Sequence, residues 1–293
     1  MIDRRGIRSF LALTFGITYA VEGMLILAGL RLTGVPPLYG QLVVAGLMWV
    51  PAAATILTIR FVTHEGFAIT NLRIGPLKPY LASALVVPAC FAVTYALTWL
   101  LGLGTPDWQL KDFQEIMAST GADPASLPSS AFILPALFLA TLLIGPTMNG
   151  VFGFGEELGW RGYLLPKLMP LGKVKAYTIL GVIWGLWHAP LIVIGFNYAG
   201  HPVWGILGMV VMTTTIGIYF NELTLRNRSS ILAGWIHGAF NGQAYGIWRI
   251  LFPTADPLFG GFTGLTGAAV WFVVGLWTVR RAATPPGTTR TVR

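Results

Sequence analysis

Apolar runs dominate this chain, and polar residues are confined to short breaks between them. Runs at roughly 9–30, 40–60, 80–103, 131–152, 176–196, 203–221, 230–248 and 262–280 each have the length of a membrane-spanning helix. Charges, Pro/Gly clusters or both bound every run. The pattern predicts an all-α, polytopic membrane bundle of about eight transmembrane helices. It reads as one domain, 1–293, without internal repeats. The longest polar insert, residues 104–130, contains DWQLKDFQEIMAST. Trp108, Leu110, Phe113, Ile116 and Met117 fall near one face there, predicting a short amphipathic helix on the outer leaflet. Residues 61–79 read as a plain connector, and 282–293 as a disordered, lipid-facing tail.

Composition agrees with a membrane solvent. Hydrophobic residues make up 55% of the chain and charged residues 10%, with a mean hydropathy of +0.69. Soluble domains carry about 25% charged residues. With the N-terminus placed inside, only Arg31, Lys111 and Arg249 fall outside, leaving sixteen of the nineteen Lys and Arg inside (19 − 3). That bias predicts both termini in the cytoplasm; the membrane itself is expected to be a bacterial or archaeal cytoplasmic membrane. The net charge of +8 then meets anionic headgroups of the bilayer and calls for no nucleic acid. Cys90 is the sole cysteine, which excludes an intrachain disulfide. The first run follows arginines as a signal peptide does, but it is too long and lacks an A-x-A cleavage site.

Against this background a few polar residues stand out. Glu22 lies in the first run and is read as a packing residue. GFGEELGWRGYLLP, residues 153–166, brings Glu156, Glu157 and Arg161 together after the fourth. His188 is in the fifth run; His237 and Asn241 are in the seventh. A carboxylate in such surroundings is costly unless paired. Glu157 and Arg161, at i and i+4, share a helical face in the favourable order. Glu156 points about 100° away, so one acid is clamped and the other is left free. His188 lies roughly 18 Å and His237 roughly 10 Å from the cytoplasmic ends of their runs, by helix rise. Pro190 kinks the segment around His188. His237 and Asn241 share one face. Taken singly, each histidine also reads as an interhelical hydrogen bond, and the acid–arginine cluster as a salt bridge at the membrane surface. Taken together, the three motifs can converge in a cavity opening to the cytoplasm.

Such a set suits hydrolysis of a peptide bond, which needs a base, a group that orients water and donors for an oxyanion. Glu156 is the candidate base, His188 its partner on the water, and His237 with Asn241 the oxyanion donors. The same residues allow a second arrangement, with Glu156, His188 and His237 binding Zn²⁺. Residue types alone leave zinc and a metal-free site both open. HExxH and G-x-S-x-G signatures are absent.

The patterns EExxxR (Glu156, Glu157, Arg161), an aromatic residue four before a histidine (Trp184, His188) and HxxxN (His237, Asn241) resemble the CPBP family. These are the CAAX-processing and bacteriocin-processing, or Abi, intramembrane proteases. The resemblance covers about residues 131–250. The family's second motif is FxxxH, and Trp184 stands at its first position here. The resemblance implies an eight-span fold, Glu156 and His188 as the water-activating pair, and His237 and Asn241 at the oxyanion. Glu157 and Arg161 would support the site. The implied partner is a membrane peptide or a lipidated protein tail. Two rival readings use the same residues: an ion-coupled transporter, and a catalytically silent scaffold that binds peptides. Against a carrier, the chain lacks matching halves.

Overall fold

The computed structural model describes residues 2–33, 38–119, 121 and 123–283. All regular structure among them is helical. Five helices are long and apolar enough to cross a membrane: Arg4–Leu27, Tyr39–Thr63, Lys78–Leu100, Ser130–Leu171 and Pro202–Asn227. The other three predicted runs are also helical, but shorter or broken. Lys173–Trp187 continues as Ala189–Val193, Ser230–Tyr245 continues as Ile247–Leu251, and the last is Leu265–Ala283. The chain is therefore a polytopic helical membrane bundle. The tail expected from 282 begins as the last turn of that final helix, and 284–293 lie outside the described residues.

The amphipathic insert forms a helix over Lys111–Ser119 with no buried residue, and Trp108 and Ile116 stay exposed. The fourth run departs most from expectation. It does not end near residue 152 but stays helical for 42 residues, to Leu171. At about 1.5 Å per residue this far exceeds a hydrocarbon core of about 30 Å. Two π-helical stretches, Gly145–Asn149 and Leu158–Leu164, interrupt it. Pro146, which lacks an N–H, sits in the first. The second carries Arg161.

Glycines decide which helix packs on this one. Gly145, Gly150 and Gly153 face Gly242, Gly238, Gly234 and His237 of the antiparallel Ser230–Tyr245 helix. A Cβ on Gly242 would lie 2.5 Å from the Gly145 Cα, and one on Gly153 would lie 2.8 Å from the His237 Cβ. Only glycine permits this approach, and it presses His237 toward the two glutamates. Around the seam lies a core of aromatic side chains, among them Phe10, Trp160, Tyr163, Trp184, Phe220 and Trp271.

The bundle has two different ends. At one, Lys167 reaches Asp3 (2.7 Å) and Glu65, and Arg73 donates to the carbonyls of Arg228 and Asn227. Residues 61–79, expected as a plain connector, form a strap across this end. The Gly162 turn packs on Thr70, and Ser230 N–H donates to the Asn71 carbonyl. The loops carrying Arg31, Lys111 and Arg249 meet at the other end, where Leu32 bonds Ile194, Asp107 bonds Leu251 and Asp256 bonds Leu103. Arg161 belongs to neither end. Counted above with the cytoplasmic cations, it is fully buried inside the bundle.

Candidate active site

Glu157 is the hub of a buried polar cluster. Its Oε1 accepts from Arg161 Nη1 at 2.8 Å, within one helix, and contacts His237 Nδ1 at 2.8 Å across the glycine seam. A carboxylate can only accept, so Nδ1 carries a proton and Nε2 points away from Glu157. Arg161 is held further by Nε donation to Asn221 Oδ1 (3.1 Å) and by the faces of Trp184 and Phe220, 4.2 and 5.0 Å from its Cζ. An unpaired guanidinium here would be costly; carboxylate, amide and two aromatic faces compensate it.

Glu156 is also buried but is not free, as its position on the helix suggested. Its Oε2 accepts the indole N–H of Trp184 at 2.8 Å and that of Trp160 at 3.3 Å. Both donors are neutral, so they orient the carboxylate without cancelling its charge. Its Oε1 faces His237 Nε2 across 3.9 Å, longer than a hydrogen bond. Neighbouring acids thus have different surroundings. Glu157 is paired with a cation through Oε1, its Oε2 buried without a partner among the described residues, whereas Glu156 has only neutral donors on Oε2 and no hydrogen bond on Oε1.

His188 ends the Lys173–Trp187 helix. Its backbone N–H bonds Gly185 O, and its Nδ1 bonds the Trp184 carbonyl at 2.8 Å. A carbonyl only accepts, so Nδ1–H is the donor and Nε2 remains available as an acceptor. Pro190 provides no N–H for the Leu186 carbonyl one turn back; the Tyr19 hydroxyl donates to it instead, at 2.6 Å. The ring lies parallel to Phe196, with centroids 6.2 Å apart.

His188, His237 and Asn241 line one cavity of 50 Å³, with Trp184 and Phe220 at its inner wall. Its lining continues to Phe196, Asn197 and Thr263, in loops at the end with few cations. The cavity therefore leads away from the basic end, the reverse of the expected opening. The reason is packing: Trp160, Arg161, Tyr163 and Leu164 fill the space on the basic side. No group of three or more His, Cys, Asp or Glu side chains among the described residues is placed to hold a metal; His237 and His188 each use Nδ1 within the protein, which leaves Nε2 as the nitrogen open to a proton, water or metal.

Several contributors were invisible in the motifs: Trp160, Asn221 and the N–H of Trp184. Trp160 stands four residues after Glu156, a spacing that places it on the same helical face and could have drawn attention.

Residues 130–243 match the family model described as type II CAAX prenyl endopeptidase, Rce1-like. A curated relative, CAAX prenyl protease 2 of Methanococcus maripaludis, is 34% identical over 108 residues. The match covers 35% of this chain and 36% of the relative, so the chain spans about a third of that relative's length. Every motif residue singled out above falls in the matched segment. Over residues 130–243, this chain is therefore similar to the CAAX prenyl endopeptidases, in the segment that carries the motifs resembling the CPBP family.

Proposed function

We propose that the protein is an intramembrane endopeptidase that hydrolyses a peptide bond in a membrane-held substrate. The observation that carries this reading is the asymmetry of the acid pair. One carboxylate is neutralised by Arg161, and the other is oriented by two neutral indoles with no Lys or Arg paired to it among the described residues. Glu156 takes a proton from water as the oxygen attacks the substrate carbonyl, and His188 Nε2 orients that water. Developing charge on the carbonyl oxygen falls to Asn241 and to His237 when its Nε2 is protonated. Collapse breaks the C–N bond, and the proton on Glu156 passes to the departing amine. No step needs a metal, so cleavage is expected to survive chelation and extensive dialysis.

The relative's name points to a prenylated cysteine tail as the substrate form, and the small apolar cavity beside exposed helix faces suits a chain anchored in lipid. If the positive-inside assignment holds, the mouth faces away from the cytoplasm, and the substrate arrives on that side or laterally from the bilayer. The test is mass spectrometry of a farnesyl-cysteine peptide incubated with purified protein in detergent. Wild type is expected to release the C-terminal fragment. Glu156→Ala and His188→Ala are expected to release none while eluting as folded protein. Full turnover by either variant would rule the reading out.

A further inference from the structure

The catalytic cavity does not stop at Asn241. His237, Asn241 and Tyr245 follow one another at four-residue intervals along its wall. Beyond them, Arg249 lines a second, larger depression of 310 Å³. Asn197, Phe262 and Thr263 border both spaces, which makes them neighbours at one junction.

Two features of this junction have no use in the fold itself. Asn197 holds a left-handed backbone, φ 60°, and donates from Nδ2 to the Tyr245 hydroxyl at 3.0 Å. Its buried Oδ1 has no hydrogen-bond partner among the described residues. A buried acceptor without a donor is destabilising until something supplies one. Arg249 is exposed on the wall of the outer depression, and no ion pair engages it among the described residues. The acid on that wall, Asp256, turns its Oδ1 to the N–H groups of Leu258 and Phe259.

We propose that Asn197, Tyr245 and Arg249 form a track that reads the leaving segment of the substrate. Asn197 Oδ1 accepts a main-chain N–H, and Arg249 pairs with a free C-terminal carboxylate. The proposal rests on the proteolytic reading above and adds the substrate's terminus to it. Arg249 follows Asn241 across the helix break at Gly246 and lines only the outer depression, so it stands at the outer end of the track. Guanidinium is suited to that end of it, since its fork matches both carboxylate oxygens.

The test is equilibrium binding of a fluorescent farnesyl-cysteinyl peptide with a ketomethylene group in place of the scissile amide. It is made in two forms, free carboxylate and carboxamide, and titrated into wild type, Arg249→Gln and Arg249→Lys in detergent. Wild type is expected to prefer the carboxylate by about tenfold, the order of one charge-assisted hydrogen bond. Arg249→Gln is expected to bind both forms alike, and Arg249→Lys to recover part of the preference. Equal binding of the two forms by wild type overturns the track, whatever the variants do. Wild type that cleaves the corresponding amide substrates but ignores the terminus contradicts the track alone. Wild type that binds neither form contradicts the track and the protease reading together.

Discussion

The two ends of the bundle are built differently. The basic end is fastened by side chains. Lys167 joins the N-terminal segment to the 61–79 strap, Arg73 clamps two carbonyls, and Glu222 gathers Lys173 (2.7 Å), Arg226 (3.3 Å) and Tyr177 (2.9 Å). The opposite end is joined by main-chain bonds between loops and by neutral side-chain bonds such as Tyr198 hydroxyl to the Thr263 carbonyl (2.8 Å), with no ion pair there among the described residues, and both cavities reach it. Cations that mark topology in the sequence thus also serve as fasteners. Between the two ends the bundle interior holds the Glu157–Arg161 pair fully buried, and in the proposed reading substrate enters from the loop-joined end.

The largest effect is expected where the buried ion pair between the two ends is broken. Arg161→Ala strands Glu157 in an apolar interior, a change that typically costs about 3–5 kcal/mol. Thermal unfolding in detergent should show a large fall in midpoint or failure to accumulate; a wild-type midpoint would mean that the pair is not structural. A smaller effect is expected at the boundary between the halves. Trp184→Phe removes one N–H from Glu156 but keeps an aromatic ring behind Arg161. A hydrogen bond to a charged group is worth about 1.5–3 kcal/mol, so turnover of the farnesyl peptide should fall at least about tenfold with a modest change in unfolding midpoint. Unchanged turnover would make Trp184 a packing residue only. The open end offers a test with no energetic cost. Cys90, the sole native cysteine, is buried, so a cysteine placed at exposed Ala199 reports alone. A membrane-impermeant maleimide added to intact cells should label Ala199→Cys, and labelling only after permeabilisation would invert the assigned orientation.

The outline of this protein is readable from residue patterns because bilayer and helix impose simple periods on a chain. All eight apolar runs became helices, and the four-residue spacing of Glu157 and Arg161 is an ion pair in the structure. The parts that escaped depend on contacts between distant residues. Glu157 and His237 are 80 positions apart, and only the glycine seam brings them to 2.8 Å. Tryptophan reads as apolar bulk in any hydropathy scheme, so the direction of the Trp160 and Trp184 N–H groups had no signal. The long helix was cut short because EELGWR looks like a polar boundary when its partners are unknown. The strap at 61–79 looked featureless because its bonds are made by Glu65, Arg73 and Asn71 to residues 102, 155 and 159 positions away.

The central claim is that two adjacent glutamates have separate duties, and a pair of isosteric variants tests it most directly. Glu156→Gln and Glu157→Gln would be compared side by side for unfolding midpoint and for release of the C-terminal fragment from the farnesyl-cysteine peptide. The account predicts that Glu156→Gln keeps a near wild-type midpoint and loses cleavage, while Glu157→Gln loses stability first. Cleavage by Glu156→Gln at the wild-type rate, or a stable and inactive Glu157→Gln beside it, would contradict the assignment.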